Sequence, residues 1–380
     1  MNRPSASVEV LPIALRDRRA KETFIRFPWQ IYPHGSPWCP PLLSERRRFL
    51  DPARNPFFAN ACVQLFLAVR DGASVGRIAA CDNRSANELG GERVVTFGLF
   101  ESIDDPAVAQ ALLDAVAAWG KNRGLTVLRG PANLSSNHEF GLLISGFDQP
   151  PALGMPYNPE FYPQLLEQQG LQKAKDLYAW WMGTQPDPPN LERLEAMSRL
   201  LSSRTGIRIR NVDPNSWDKE MEIFFTIYNS AWRQNWGYVP ITRQEFRYLA
   251  HEMRPVIKPE FGFIVEAEGR PVAFSLTVLD ANPALRQANG RLFPIGFLKM
   301  LWHFRRLDSV RLMILGIEKE YRRKGIDALL YLATLRAARA KNFRGGELGW
   351  TLEDNHLINR TIAAAGGHRT KIYRVYERPV

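Results

Sequence analysis

A short basic loop in the last quarter of the chain carries residue types that can hold a phosphate. Arg322, Arg323 and Lys324 precede Gly325, after which apolar residues recur at helical spacing. A strand is predicted at residues 310–317, just before the loop. Backbone N–H groups at a helix start attract anions, and a glycine lets a phosphate approach the backbone closely. The segment therefore predicts a pyrophosphate cradle.

A polar loop in the first half is a second candidate for chemistry. It follows a predicted strand and offers Asn133, Ser136 and Asn137 as hydrogen-bonding groups for a substrate. His138 or Glu139 could act as general base toward an ammonium group. The same composition is typical of a surface loop with an Asx turn and a helix cap, so both interpretations stay open.

An apolar stretch at residues 290–306 is the third candidate. It is predicted to be helical from Ile295, and Lys299, His303 and Arg306 then fall on one face. Such a helix lies either in a protein core or at a membrane interface. A core helix is the commoner structure, and it is the favoured interpretation for this stretch.

Two similar series of elements must position these candidates. In the first half, strands are predicted at 64–69, 74–80, 94–100, 126–129 and 175–181, and helices at 106–123 and 159–169. In the second half, strands are predicted at 261–266, 271–280, 310–317, 346–351 and 371–376, and helices at 191–204, 217–234, 242–253, 325–339 and 355–365. Both series contain a hairpin, a strand, a helix and a strand in the same order, which predicts a tandem duplication of architecture.

The boundary between the two halves is predicted at residues 185–190, a short polar segment with three prolines. We therefore expect one domain at 1–185 and another at 191–380. Prolines and aromatic residues are frequent between Phe27 and Pro41. This density favours extended or turn geometry and predicts an ordered arm that packs against the first domain.

Residues 322–327, Arg-Arg-Lys-Gly-Ile-Asp, resemble the signature Q/R-x-x-G-x-G/A of the GNAT N-acyltransferase superfamily. In that superfamily the loop holds the pyrophosphate of coenzyme A, and the preceding strand binds the pantetheine arm. Asp327 departs from the pattern, which has Gly or Ala there. Residues 350–355 resemble the superfamily's last strand–helix unit, whose asparagine is matched by Asn355. The resemblance implies coenzyme contacts at Leu315, Ile317, Arg322, Arg323, Lys324, Gly325, Ile326, Asp327, Ala328 and Asn355.

The same resemblance implies an α/β (α+β) fold of two tandem GNAT-like domains, each a mixed, mainly antiparallel sheet flanked by helices. An acceptor amine would attack the thioester carbonyl of acyl-CoA, with backbone N–H groups near Ile317 stabilising the oxyanion. The tyrosine that often protonates the leaving thiolate would fall near Ile362 and is absent. Tyr373 or water is then the alternative proton donor. The candidates for general base are Glu347, Glu318, Glu139 and His138.

The first half is expected to bind no coenzyme. Residues 101–106, Glu-Ser-Ile-Asp-Asp-Pro, stand where the basic loop should be. Three carboxylates without an arginine would repel a pyrophosphate. The first domain is therefore predicted to be a degenerate GNAT-like domain.

Residues 289–306, the strand and loop after them and residues 353–355 also resemble the lipid-linked branch of the superfamily. That branch includes the bacterial ceramide synthases, which attach a long acyl chain to a sphingoid amine. The resemblance implies a long-chain acyl-CoA as cosubstrate and a lipid-like amine as acceptor. A non-catalytic acyl-CoA-binding module and a small-amine acetyltransferase remain alternatives. The side chains expected to line the acyl site are Phe297, Leu301 and Trp302.

Composition bears on nucleic-acid binding, metal binding and the cellular compartment. The 380 residues carry a formal net charge of +11, but no basic strand with interleaved aromatics or recognition helix indicates a nucleic-acid binder. The clusters at residues 46–48 and 305–306 are interpreted as solvated surface. Three cysteines lie far apart, which argues against a metal site and favours a reducing compartment. Residues 1–15 lack a signal-peptide pattern. We expect a cytoplasmic protein that either is soluble or lies at the inner face of the membrane; its oligomeric state does not follow from the sequence.

Overall fold

The strands and helices follow the predicted order, with additional elements between them. The computed structural model describes residues 7–204, 206–233 and 235–380. The strands are β1 Glu9–Ile13, β2 Ala61–Arg70, β3 Ala73–Asn83, β4 Val94–Ser102, β5 Val127–Gly130, β6 Leu142–Ser145, β7 Gln172–Gly183, β8 Ile207–Asn211, β9 Ile257–Ala267, β10 Arg270–Leu279, β11 Ser309–Ile317, β12 Gly345–Leu352 and β13 His368–Pro379. The helices are α1 Arg18–Arg26, α2 Pro28–Ile31, α3 Leu43–Phe49, α4 Arg84–Gly90, α5 Pro106–Lys121, α6 Tyr162–Gln168, α7 Leu191–Arg204, α8 Trp217–Trp232, α9 Arg243–Met253, α10 Asn282–Ala288, α11 Gly296–Phe304, α12 Ile326–Ala340 and α13 His356–Ala364.

The chain forms two compact units. The N-terminal unit contains the described residues up to Leu177, together with 285–300 and 371–380. The C-terminal unit contains the described residues of 178–284 and 301–370. The predicted division into 1–185 and 191–380 follows chain order, and the units differ from it at 178–185, 285–300 and 371–380.

Each unit has a mixed sheet, as predicted. In the N-terminal unit the strand order is β1-β2-β3-β4-β5-β13, with β6 also paired to β13. In the C-terminal unit the order is β12-β11-β10-β9-β8. Within each of these sets, one neighbouring pair is parallel, β4–β5 in the first and β11–β12 in the second, and the others are antiparallel. Parallel pairs need a crossover, and α5 and α12 provide it.

The two units repeat the same hairpin. Asp71 and Gly72, with φ of 52° and 77°, join β2 to β3, and Glu268 and Gly269 join β9 to β10 with the same two angles. Positive φ at both central residues is the geometry of a type I′ turn, which matches the twist of the flanking strands. The predicted hairpins are therefore confirmed, down to the turn residues.

The crossover helices bury one apolar face against the sheets. In the N-terminal unit, Val108, Leu112 and Val116 of α5 are fully buried in one cluster with strand residues such as Phe97. In the C-terminal unit, Ile326, Leu329 and Leu330 of α12 pack with residues of β9 and β10. Each helix thereby fixes its N-terminal end at the carboxyl end of the preceding strand.

The proline-rich arm is ordered and packs against the N-terminal unit, as expected, but it lies between two helices that the periodicity does not reveal. Phe24 and Ile25 of α1 share a buried cluster with Leu43 and Phe49 of α3. Asp17 caps α1 by accepting a hydrogen bond from the Ala20 N–H at 3.0 Å. The predicted helix 217–234 is α8, and its last residue, Gln234, lies outside the described residues.

The interpretation of residues 295–304 as a core helix is wrong. The segment forms α11, as the periodicity predicts, but its apolar side chains face solvent. Phe293, just before the helix, is 83% exposed, and Leu298 is 63% exposed. Helical spacing shows which apolar residues share a face of the helix. It does not show whether another part of the protein covers that face, and this explains the error.

The segment before α11 is anchored on the proline-rich arm. Trp29 Nε1 donates to Asn289 Oδ1 at 2.9 Å, and the Leu43 N–H donates to the Gly290 carbonyl at 3.0 Å. Gly290 has φ +77°, and a Cβ there would lie 2.5 Å from Trp29 Cζ2 and 3.2 Å from the Pro41 carbonyl oxygen. Only glycine fits this contact without displacement.

Gly290→Ala is therefore expected to destabilise the protein by about 2–3 kcal/mol, from the strained φ and the overlap with Trp29. Gly72→Ala is the matched control, because Gly72 has the same φ of +77° and a Cβ added there would meet no atom within 4 Å. We expect the control to cost about 1 kcal/mol. Denaturant unfolding measures both, and equal costs would show that the Trp29 contact does not hold the segment.

Candidate functional site

Strand β11 contains a bulge at Met313. Leu276 of β10 pairs with Ile314, whereas the next residue, Thr277, pairs with Leu312. Met313 is therefore an extra residue on β11, and such an insertion bends the strand and increases its twist. The bulge lies near the middle of the strand that precedes the basic loop.

The parallel pairing of β11 with β12 ends next to this bulge. It runs from Ser309 opposite Gly345 to Leu312 opposite Leu348. Both strands continue beyond it, β11 to Ile317 and β12 to Leu352. In the described structure the two strands thus stop pairing while both remain extended. The edge of β11 beyond Leu312 can then pair through its backbone with a ligand that enters as an extended chain.

The basic loop ends at a helix start whose first N–H groups are available. Arg323 and Gly325 have φ of 61° and 83°, so the backbone turns sharply before α12. Gly325 is the N-cap and provides no side-chain hydrogen bond. The N–H groups of the first turn, from Ile326 on, then have no intrahelical partner and carry the positive end of the helix dipole. This arrangement is suited to a phosphate.

The predicted coenzyme contacts differ in what their side chains do. Arg322 donates from Nε to the Ile317 carbonyl at 3.2 Å and from Nη2 to the Ala231 carbonyl at 2.6 Å, so it fixes the loop to the ends of β11 and α8. Arg323 and Lys324 are exposed cations. The side chains of Ile326 and Ala328 are buried, which leaves only their backbone groups, and Leu315 has a partly buried side chain beyond the bulge. Asp327 is exposed in the first turn, where a carboxylate is favoured by the dipole.

Two of the predicted general bases lie in the C-terminal unit. Glu347 is 3% exposed and sits on β12 opposite Arg311, one residue before the parallel pairing ends. Arg311 is also buried and donates from Nη2 to the Gly349 carbonyl at 3.1 Å. Glu318 follows β11 and forms a 2.7 Å ion pair with Arg270. Glu347 is therefore the carboxylate beside the strand separation.

The last strand–helix unit is held by side chains that sequence reasoning missed. Asn355 caps α13 through a 3.4 Å contact with the Ile358 N–H, as an asparagine at a helix start should. Asn359 Nδ2 donates to the Leu352 carbonyl at 2.9 Å, and its Oδ1 accepts from Thr351 Oγ1 at 2.6 Å. In the sequence, the only signal for this hydrogen-bonded pair is that Thr351 and Asn359 are polar residues near the end of the strand.

The N-terminal unit has the same bulge, but its own chain fills the space beside it. Arg77 pairs with Glu101 and Ala79 with Gly98, so β4 gains one residue at Leu99, which has φ 47°. The Leu99 N–H donates to Asn133 Oδ1 at 2.6 Å. Asn133, which the sequence predicts to bind substrate, thus provides the partner of the N–H group at the bulge.

The helix start of the N-terminal unit is filled as well. Asp105 caps α5 through the Ala107 N–H at 2.8 Å and forms a 2.8 Å ion pair with Arg70. Although burial opposes ionisation, these two partners hold the pKa of Asp105 below its ordinary value. Glu101 is buried and accepts from Tyr32 at 3.0 Å and from Tyr162 at 2.8 Å. The helix start where a phosphate could bind is thus capped by a carboxylate of the acidic loop, Asp105.

The polar loop 133–139 is folded inward. Glu139 accepts from Arg46 Nη2 at 2.9 Å and from Asn133 Nδ2 at 2.5 Å. Arg46 has a side chain only 16% exposed, so the solvated interpretation of this residue is wrong. His138 lies 3.0 Å from Ser135 Oγ through Nδ1. Burial, with the nearby Arg46 guanidinium, lowers the pKa of His138 to about 4, so the ring is neutral at physiological pH.

The remaining predicted residues lie on β13, on the polar loop and on α11. Tyr373 is fully buried on β13 in the N-terminal unit, where it pairs with Leu143. Ser136 and Asn137 form the tip of the inward loop, and the Asn137 N–H donates to Ser135 Oγ. The three residues of the predicted acyl site, Phe297, Leu301 and Trp302, are all exposed on α11.

Two negative observations apply to residues 7–204, 206–233 and 235–380. No three His, Cys, Asp or Glu side chains there are grouped closely enough to hold a metal ion. None of the described helices combines the length and apolar character that crossing a membrane requires.

Two known proteins align with nearly the whole chain. "Protein YghO" of Escherichia coli (strain K12) is 34% identical over 366 residues, which cover 94% of this chain and 93% of that protein. The bacterial ceramide synthase of Caulobacter vibrioides is 33% identical over 381 residues, which cover 98% of both chains. At this identity and coverage the chain belongs to the same protein family as these two proteins. No protein-family model matches it.

Solved structures agree with the tandem fold. A tandem GNAT protein from the clavulanic acid biosynthesis pathway covers 98% of both chains with a TM-score of 0.54 and 12% identity. A probable N-acyltransferase from Enterococcus faecalis V583 has a TM-score of 0.53 and 10% identity over 98% of this chain and 73% of that one. At such identities the likeness concerns the fold, and it confirms two tandem GNAT-like domains.

The low pKa of His138 predicts a pH-dependent stability. An unfolded histidine takes up a proton near its ordinary pKa of 6.5, whereas the folded ring stays neutral down to about 4. The unfolded state therefore binds more protons between these values, and stability falls as pH drops through that window. His138→Phe keeps a ring against Phe49 and Phe57 but cannot titrate.

The free energy of unfolding of the wild type, minus that of His138→Phe, should fall by about 2–3 kcal/mol from pH 7 to pH 4, at roughly 1.4 kcal/mol per pKa unit. Denaturant titrations at several pH values measure this difference, in which the other titrating groups cancel. A difference that does not change with pH would show that His138 keeps an ordinary pKa.

Proposed function

We propose that the protein is an acyl-CoA-dependent N-acyltransferase that moves a long acyl chain onto a lipid-like primary amine. The observation that carries the proposal is the separation of β11 and β12 at Leu312, beside a bulged strand that leads into an uncapped helix start. The similarity to a bacterial ceramide synthase over 98% of both chains supports the choice of a sphingoid-type amine.

The donor would lie along the separated edge of β11. Its pantetheine arm contains two amides, which can pair with the strand as a β-strand would. Its pyrophosphate would meet the N–H groups at the start of α12, with Arg323 and Lys324 supplying positive charge. Arg322 acts by holding the loop in place, because its guanidinium is engaged by the carbonyls of Ile317 and Ala231.

Glu347 is the proposed general base. An ammonium group must lose a proton before its nitrogen can attack the thioester carbonyl. The neutral amine then forms the C–N bond and gives a tetrahedral oxyanion. As this intermediate collapses, the C–S bond breaks, the nitrogen loses its second proton to solvent, and the thiolate takes up a proton from solvent or a nearby hydroxyl. Backbone N–H groups on β11 beyond Met313 would stabilise the oxyanion. Glu318 is less suited to the role of base because Arg270 already binds it.

The thioester end of the donor would lie near Met313, next to the point where β11 and β12 stop pairing. Because β11 is paired with β12 from Ser309 to Leu312, a long acyl chain would leave this point over the face of the sheet and not along the strand edge. The apolar segment with α11 immediately precedes β11 in the chain. We place the protein in the cytoplasm at the inner face of the membrane, where a lipid amine is available.

Amide formation tests the proposal. The purified protein, given a sphingoid amine, is expected to show a kcat/KM at least tenfold higher with palmitoyl-CoA than with acetyl-CoA, since each buried methylene contributes about 0.8 kcal/mol. Mass spectrometry of the products measures both. A preference for acetyl-CoA would identify a small-amine acetyltransferase, and acyl-CoA binding without any amide would identify a non-catalytic module.

Two carboxylate variants serve as matched controls in that assay. Glu347→Gln should lower kcat by about 100-fold while leaving the Kd for coenzyme A unchanged, as loss of a general base does. Glu318→Gln should stay within about threefold of the wild type, because its exposed ion pair contributes little. Similar losses in both variants would contradict the assignment of Glu347.

A further inference from the structure

An exposed apolar surface is concentrated on one short segment. Six of the eleven large apolar side chains that are exposed among the described residues lie between positions 293 and 302. We call these six the apolar platform: Phe293, Ile295, Phe297, Leu298, Leu301 and Trp302. Single exposed apolar residues are normal on soluble proteins, but a contiguous group indicates a surface that binds something.

The segment that leads into the apolar platform is held by hydrogen bonds. Asn289 accepts from Trp29 of the proline-rich arm, and the Gly290 carbonyl accepts from the N–H of Leu43 at the start of α3. Arg286 Nη2 also donates to the Ser36 carbonyl at 2.8 Å. These contacts order the segment just before the platform. The side chains of the platform are therefore exposed on an ordered segment.

Positive charge surrounds the platform. Arg291, Lys299, Arg305 and Arg306 are all exposed, and the sequence has no acidic residue from 289 to 307. Arg306 lies over the ring of Trp302, with its guanidinium carbon 3.4 Å from the ring centroid. A tryptophan and basic side chains beside apolar ones are typical of segments that lie in the headgroup region of a bilayer.

We propose that the apolar platform docks the protein on an anionic lipid bilayer. Phe293, Leu298 and their neighbours would enter the boundary between headgroups and acyl chains, and the four cations would bind anionic headgroups. The inference extends the proposed function, since a lipid acceptor would be met at this surface. It does not depend on that function, because docking needs no turnover.

The charges favour a bilayer over the other occupants. A second copy seated on the same surface would bring two sets of cations together without an acidic partner, which is unfavourable. A single acyl chain would be enclosed by a groove, whereas these side chains project from successive turns of one helix and from the residues just before it.

Flotation with lipid vesicles tests the docking surface. The full chain is expected to float with vesicles containing about 30% phosphatidylglycerol in phosphatidylcholine and to dissociate as salt is raised. Leu298→Asp should weaken this binding at least tenfold, because it places a carboxylate among the apolar and basic groups. Leu357→Asp is the matched control, since Leu357 is 60% exposed on α13, outside the platform, and it should stay within twofold.

Three results would overturn the proposal. They are no flotation of the wild type, equal losses in Leu298→Asp and Leu357→Asp, and a wild-type dimer that Leu298→Asp makes monomeric without any vesicle binding. The last would identify a second copy as the occupant. Circular dichroism of both variants confirms folding, and amide formation from soluble substrates separates a failure of docking from a failure of the proposed function.

Discussion

The structure depends on a parallel strand pair that stops early. When two extended strands separate, their backbone N–H and C=O groups still need partners, and the helix that follows starts with further N–H groups that lack intrahelical partners. Both units contain a parallel pair with a bulge on the strand before the crossover helix, at Leu99 in one and at Met313 in the other. In the C-terminal unit both strands continue past the pairing, whereas in the N-terminal unit β5 ends one residue after it. Whatever satisfies these groups determines what the unit does.

The two units satisfy the constraint differently. In the N-terminal unit the chain supplies the partners itself, because Asn133 accepts the Leu99 N–H and Asp105 caps α5. In the C-terminal unit Gly325 provides no cap, and Arg322 is used to hold the loop. We infer that side chains of the N-terminal unit fill its own ligand site, whereas the corresponding site of the C-terminal unit binds acyl-CoA.

Local patterns in the sequence are sufficient for the crossover helices, the hairpins and the basic loop, but not for α1 and α3 or for what surrounds the loop. The periodicity of α5 and α12 and the Asp-Gly and Glu-Gly turns are short-range signals, so these features are predicted correctly. The role of Asn133 depends on a bulge 34 residues earlier in the chain, which no local pattern encodes. For the same reason the pattern assigns β13 to the end of the second domain, whereas it pairs with β5 and β6 of the N-terminal unit.

Hydrogen–deuterium exchange with and without coenzyme A tests the central claim most directly. If the C-terminal unit alone holds the coenzyme, amides at 313–317 and 325–329 should exchange more slowly when it is added, because the ligand pairs with β11 and with the start of α12. Amides at 97–109 should not change, since Asn133 and Asp105 already bind there. Slower exchange at 97–109, or no change at 313–329, would contradict the account.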